Sequence, residues 1–146
     1  HITYSSEDIM DQKFGRKFQD IKSKIEGTVD YEVENYLQYK GEKFSDTFDA
    51  NSYILMTKAM DGYDASFSSN GSLEEVMKRI KAKLLVVGFD SDWLYPPKRS
   101  KEIQLAAMNV DVQCSCVILN GEQGHDSFLF ASDRYVKIIK GFLDSK

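Results

Sequence analysis

The stretch that most constrains the fold is residues 84–97, LLVVGFDSDWLYPP. Its apolar run at 84–87 predicts a strand that is buried on both faces and ends at Gly88, of the kind found in parallel sheets. Asp90 and Asp92 follow in a short acidic loop. Because open α/β sheets place their chemistry at the carboxyl ends of their strands, these two aspartates are candidate functional residues.

The sequence after residue 71 alternates between helical and strand patterns. Ser72 predicts the cap of a short helix, and Pro96-Pro97 predict the start of the next one. A second strand is predicted around residues 112–119. A final helix is expected to bury four residues, Phe128, Tyr135, Ile139 and Phe142. The order helix, strand, helix, strand, helix predicts an α/β fold, with parallel strands joined by right-handed crossover helices.

The first part of the chain predicts helices without strands. Ser5 and Ser6, followed by two acids, predict a helix cap, and that helix is expected to stop near Gly15. Residues 18–27 are mostly polar and predict either a fraying helix or a loop. A longer helix is predicted from about residue 31, with Gly41 at its end or at a point of tight packing.

A further helix is predicted at residues 50–61, with Asp49 as its cap. Its stripe of Tyr53, Met56, Met60 and Tyr63 is typical of a core face, and a ligand-pocket role is the alternative. Residues 65–71, ASFSSNG, are the best linker candidate. The expected organisation is therefore a helical region at 1–70 that covers something, followed by an α/β region at 71–146.

Composition excludes several classes of function. The 146 residues make one domain or a piece of a larger one, and the opening HITYSS, without Met, is expected to begin mid-protein or after a removed tag. A formal net charge of −4 argues against nucleic-acid binding. No apolar run approaches the roughly 20 residues of a membrane span. Cys114 and Cys116 are expected to be free thiols in a reducing cytoplasm, and no metal site is expected.

His125 supplies the second half of the candidate site. It lies in the segment Gly124-His125-Asp126, directly after the second predicted strand. An acid after one strand and a histidine after the next have the chain order of the last two members of a Ser…Asp…His triad in α/β-hydrolases. A carboxylate beside a histidine fixes its tautomer and stabilises the imidazolium formed in catalysis. Asp92 is preferred to Asp90 as the acid, and a surface histidine is the plain alternative.

The nucleophile of such a triad is missing from these residues. No Gly-x-Ser-x-Gly elbow occurs in the sequence, and no serine stands between a predicted strand and helix with glycines on both sides. The chain is therefore expected to hold half of an active site and to be inactive by itself.

Five segments together resemble the homoserine O-acetyltransferase family of α/β-hydrolase-fold acyltransferases. They are HITY at 1–4, YEVENYLQYKGEKF at 31–44, FDANSYILMTKAMDGYD at 48–64, LLVVGFDSDWLYPP at 84–97 and GHDSFL at 124–129. The DANSY segment is the most diagnostic, because it belongs to the helical lid of that family. The resemblance implies that residues 1–70 are lid and residues 71–146 are the carboxy-terminal part of the hydrolase-like core.

The resemblance also implies roles for individual residues. Asp92 and His125 would be the catalytic acid and base, Asp126 would hold the amino group of the substrate, and Tyr4 would line the substrate pocket. The implied reaction is ping-pong transfer of an acetyl group from acetyl-CoA to homoserine, in methionine biosynthesis, with no bound cofactor. The implied partners are the missing amino-terminal half of the enzyme and a second copy bound through the lid helices.

Two alternatives remain open at the level of the sequence. A related acyltransferase could use a succinyl donor or a serine acceptor, since such enzymes share the triad. The segment could also be a non-catalytic module whose lid helices serve only packing or dimerisation.

Overall fold

The computed structural model describes residues 3–19, 31–130 and 132–145. Residues 20–27 of the predicted fraying helix or loop lie outside this part of the chain. The elements occur in the order α1 Glu7–Lys13, α2 Glu32–Thr47, α3 Ala50–Asp61, α4 Leu73–Met77, β1 Leu84–Phe89, α5 Pro97–Met108, β2 Cys114–Leu119 and α6 Asp133–Asp144. Short 3₁₀ helices occupy Phe67–Ser69 and Gly124–Leu129. Contacts divide the chain into two compact units, one of Met10–Asp64 and one of His1–Ile9 with Ala65–Lys146.

The sheet of the second unit has two described strands, β1 and β2, which pair in parallel. Their register runs from Leu84 opposite Cys114 to Phe89 opposite Leu119. Both strands therefore end at the same edge, and the loops that follow them lie side by side. The predicted parallel pairing and the alternation of helices with strands are confirmed.

A small apolar core lies where α5 packs on α4 and the sheet. Its buried members are Met77 of α4 with Ala106 and Ala107 of α5. Because alanine side chains end at Cβ, they let α5 approach closely. Partly buried residues complete the layer, among them Leu73, Ile80, Leu84, Ile103 and Cys114.

The predicted end of β1 at Gly88 is wrong, because the strand continues through Gly88 to Phe89. Gly88 pairs with Ile118, and a Cβ added there would lie 3.0 Å from Ser100 Oγ of α5. The glycine thus allows a helix to approach the strand, as isolated strand glycines often do. Residues 84–87 are half-buried in the described part of the chain, less than the predicted burial on both faces.

The final helix begins later than predicted. Phe128 was expected on its buried side but belongs to the 3₁₀ helix Gly124–Leu129, and α6 starts only at Asp133. Ser132 caps α6 by accepting a hydrogen bond from Tyr135 N at 3.3 Å. Tyr135 is half-buried, and its ring lies 5.7 Å from that of Phe89 at the end of β1.

Three predicted helix caps are present. Ser6 Oγ accepts from Ile9 N at 3.3 Å, Asp49 Oδ2 from Ser52 N at 2.6 Å, and Ser72 Oγ from Glu75 N at 3.2 Å. Each cap satisfies a backbone N–H that has no partner within its own helix.

In the unit Met10–Asp64, Gly41 neither ends a helix nor marks a tight contact. Helix α2 runs through it to Thr47, and no described atom lies within 4 Å of a Cβ built there. A single helical glycine costs only about 1 kcal/mol, which its helix-favouring neighbours offset.

Tyr53 contacts the rings of Phe44 and Phe48 at 6.1 and 6.0 Å. The predicted core stripe is exposed among the described residues, at 55% for Tyr53, 56% for Met56, 67% for Met60 and 76% for Tyr63.

Candidate functional site

Asp92 and His125 meet at the edge where both strands end. Asp92 lies in the loop after β1, and His125 lies in the 3₁₀ helix after β2. Asp92 Oδ2 is 2.9 Å from His125 Nδ1. Their side chains are 8% and 19% exposed, so the contact is largely shielded from water. The structure therefore contains the predicted contact between acid and histidine.

The backbone that follows Asp92 fixes its carboxylate. Asp92 Oδ1 accepts hydrogen bonds from Leu94 N at 3.0 Å and Tyr95 N at 2.9 Å. Oδ2 is thereby aimed at His125. Because a carboxylate only accepts hydrogen bonds, the imidazole proton is assigned to Nδ1. This tautomer leaves the lone pair on Nε2, the arrangement of a general base.

Asp90 faces a different partner. Its carboxylate accepts from Gly121 N at 2.9 Å and from Asn120 Nδ2 at 3.1 Å. The Gly121 N–H, which stabilises the charged form, holds the pKa of Asp90 below its usual value. The preference for Asp92 over Asp90 as the partner of His125 thus agrees with the geometry.

The histidine loop is held on a second side by the first residues of the chain. Gly124 has a φ of +67°, and a Cβ there would lie 2.7 Å from Ser6 N. Ser6 Oγ donates to Glu122 O, and Asp126 N donates to Tyr4 O at 3.1 Å. The segment that contains Tyr4 and Ser6 therefore contacts the loop that bears His125.

Three aromatic rings surround the imidazole. The centroids of Tyr4, Tyr95 and Phe128 lie 5.5, 5.1 and 5.5 Å from that of His125. Tyr4 was a candidate from the sequence, whereas Tyr95 and Phe128 were not. Their sequence positions offered a signal, because Tyr95 follows Asp92 by one turn and Phe128 follows His125 by one 3₁₀ turn.

Asp126 is the remaining candidate. It is half-buried and follows His125 directly, and its backbone bond to Tyr4 brings these two predicted substrate residues together. The substrate roles of Tyr4 and Asp126 stay predictions.

Three further features of the described residues concern the cysteines, the possible metal ligands and the length of the helices. Cys114 and Cys116 are both free and half-buried, and burial raises the pKa of each thiol. Within the described ranges, no cluster of three or more His, Cys, Asp or Glu side chains could hold a metal ion. None of the helices described is both long and apolar enough to span a membrane.

Solved structures support the hydrolase-like fold. A crystal structure of esterase E22 superimposes with a TM-score of 0.78 at 22% sequence identity. The match covers 98% of this chain and 40% of the esterase chain. At this identity the likeness establishes the fold alone, as a partial α/β-hydrolase fold.

No protein-family model matches the sequence. Curated relatives do: the chain is 46% identical over 143 residues to a homoserine O-succinyltransferase of Acinetobacter baumannii (strain AYE). The proteins of the same name from Acinetobacter baylyi and Marinomonas sp. (strain MWYL1) are 45% and 41% identical. In each case the match covers 98% of this chain and 37% of the relative, so the chain spans little more than a third of their length. By this relationship, the chain belongs to the homoserine acyltransferase family, of whose members it represents a carboxy-terminal portion.

Proposed function

We propose that these residues supply the acid–base half of an enzyme that transfers an acyl group from a coenzyme A thioester to the hydroxyl of homoserine. The observation that carries the proposal is the hydrogen bond between Asp92 and His125. It lies in a chain 46% identical to a homoserine O-succinyltransferase. A histidine oriented by a buried carboxylate is the base that activates a hydroxyl nucleophile.

The proposed reaction has two half-reactions that use the same base. In the first, His125 Nε2 takes the proton of a serine that lies outside these residues. The serine oxygen bonds to the thioester carbonyl carbon, the carbon–sulfur bond breaks, and the coenzyme A sulfur leaves with the proton. In the second, His125 takes the proton of the homoserine hydroxyl, whose oxygen attacks the acyl-serine. The serine oxygen leaves and regains a proton from the imidazolium, which Asp92 stabilises in both steps.

There are two candidates for the acyl donor, acetyl-CoA and succinyl-CoA. The family resemblance in the sequence favours acetyl-CoA, whereas the curated relatives are named for transfer of a succinyl group to homoserine. The names of relatives with 41–46% identity weigh towards a succinyl donor. Presenting both donors to the same enzyme preparation and comparing kcat/KM decides between them.

The proposed acceptor site lies beside the histidine. In this proposal the Asp126 carboxylate pairs with the amino group of homoserine, and Tyr4 lines the pocket. The backbone bond from Asp126 N to Tyr4 O and the contact of the Tyr4 ring with His125 support it, because they put both residues beside the proposed base. A serine acceptor would offer the same groups on a shorter side chain, so homoserine and serine are to be compared as acceptors.

The proposed partner of the helical unit is a second copy of the protein. Helices α2 and α3 expose large apolar side chains, among them Phe44, Leu55, Met56 and Met60, at 50–69%. Exposed apolar patches of this kind mark contact surfaces.

The free thiols of Cys114 and Cys116 fit a reducing compartment, which supports a cytoplasmic location.

The test is replacement of His125 by alanine in the complete acyltransferase. Transfer from either donor to homoserine should fall to background, while exposed Lys140→Ala on α6 should leave the rate unchanged. A His125→Ala rate within a few-fold of wild type would contradict the mechanism. Transfer by the isolated 146-residue chain above background would contradict the need for a serine outside it.

A further inference from the structure

Three consecutive residues after β1 bind the loop after β2 in order. Asp90 binds Asn120 and Gly121, and Asp92 binds His125. Between them, Ser91 Oγ donates to Gly121 O and accepts from Gly124 N at 3.2 Å. The two loops are thus joined side by side, and the histidine is the last point of attachment.

We propose that Ser91, with Asp90, is a positioning residue for the catalytic base His125. That His125 is catalytic rests on the proposed function, whereas the positioning of its imidazole is a property of this chain. The described hydrogen bonds of both side chains go to residues of the loop that bears His125 and not to its imidazole. They act through the backbone of the loop that bears it.

Ser91 is suited to this role because it is half-buried and uses its hydroxyl in both directions. Its two backbone partners, Gly121 and Gly124, lie on either side of the short turn that leads to His125. Without the hydroxyl, the Gly124 N–H and the Gly121 carbonyl lose this partner, and unpaired part-buried groups favour rearrangement of the turn.

Space around the turn leaves it little freedom to take another path. A Cβ at Gly121 would lie 2.6 Å from Ser127 Oγ and 2.8 Å from Phe89 Cδ1. Ser127 is itself 4% exposed and accepts from Gln123 N at 3.2 Å. The turn is therefore packed as well as hydrogen-bonded. For this reason, loss of the Ser91 hydroxyl should shift the position of the His125 side chain.

Asp90 anchors the start of the same turn from the solvent side. Its carboxylate oxygens take one backbone and one side-chain donor, so an asparagine there retains an oxygen for Gly121 N and alanine retains neither bond. Asp90→Asn is thus a conservative counterpart of Asp90→Ala, as Ser91→Thr is of Ser91→Ala.

The first readout is the His125 Nδ1 proton, followed by NMR of this chain labelled with ¹⁵N-histidine. The only other histidine in the sequence is His1, so the assignment needs one His1→Gln variant. Ser91→Ala and Asp90→Ala should each shift or broaden the Nδ1–H signal, whereas Ser91→Thr and Asp90→Asn should largely keep it. Exposed Ser115→Ala on β2 is the matched control and should leave the signal in place.

The second readout is kinetic and uses the complete acyltransferase. Displacement of a base by a fraction of an ångström should lower kcat by about 10- to 100-fold, with KM for homoserine nearly unchanged. If neither Ser91→Ala nor Asp90→Ala moves the His125 signal, the positioning role is overturned. If Ser91→Ala does not fold, Asp90→Ala alone provides the test, because Asp90 is exposed. If the signal moves while wild-type enzyme transfers neither acyl group, the positioning stands and the proposed function fails.

Discussion

Ser91 and Gly124 are hydrogen-bonded at 3.2 Å, and each directly precedes a member of the Asp92–His125 pair. Two loops from neighbouring parallel strands are therefore in register at the point where the acid meets the base. The sheet provides this register, because β1 and β2 end opposite each other at Phe89 and Leu119. The geometry of the site thus begins in the pairing of the strands and is completed by the two loops.

Replacing Asp92 by asparagine should lower acyl transfer by about 10⁴-fold, the loss found for the equivalent change in a serine protease. An amide presents a donor where Nδ1–H now donates, which favours the wrong histidine tautomer. Rates of the complete acyltransferase with homoserine measure the effect. Asp111→Asn, at an exposed position, is the control. A loss below tenfold for Asp92→Asn would show that His125 does not depend on this carboxylate.

Replacing Gly124 by alanine should destabilise the chain by about 1–3 kcal/mol, because its φ is positive and the new Cβ would press on the backbone of Ser6. Gly41→Ala gives the opposite expectation. It lies inside α2 with free space around it, and alanine there should stabilise by about 0.5–1 kcal/mol. Urea unfolding of the two variants measures both changes, and equal midpoints would contradict the assigned role of Gly124.

The elements of the fold that the sequence predicts well are those with local causes. Asp49 and Ser72 were predicted as helix caps from residue type and position, and the structure contains both caps. Gly88 and Gly41 were misjudged because the role of a glycine depends on what packs against it. A helix approaches Gly88, whereas nothing described approaches Gly41.

In the candidate site, too, some residues could be predicted from the sequence and others could not. Asp92 and His125 were predicted as partners because parallel strands bring their carboxyl ends together. Tyr95 and Phe128 were missed although their spacing of one turn from Asp92 and His125 offered a signal. Ser91 was missed because its contacts join two loops that are distant in the sequence. No periodicity in the sequence records such contacts between distant segments.

Replacing Tyr95 by alanine should lower kcat by about 2- to 10-fold, the rate equivalent of one aromatic contact. The ring lies 5.1 Å from that of His125, and the backbone bond from Tyr95 N to Asp92 would remain. Tyr95→Phe keeps the ring and should keep the rate, so the pair of variants separates the ring from the hydroxyl. A loss of rate in Tyr95→Phe would show that the hydroxyl acts instead.

Acid should weaken the attachment of the histidine loop through Asp90. The Gly121 N–H lowers the pKa of Asp90 in the folded chain below its ordinary value of 3.8. A lowered pKa means that the unfolded chain binds this proton first. The stabilisation is therefore complete above about pH 5 and is lost as the pH falls below 3.8 and through the folded pKa.

Wild type should consequently lose more unfolding free energy than Asp90→Asn between about pH 5 and about pH 3. Asp49 and Glu74, whose pKa values are also lowered by hydrogen bonds, contribute equally to both proteins and cancel in the difference. Urea unfolding across this range measures the two slopes. Parallel slopes would mean that the Asp90 carboxylate gains no more from Gly121 in the folded chain than from water in the unfolded one, and that Asp90 does not help to hold the loop.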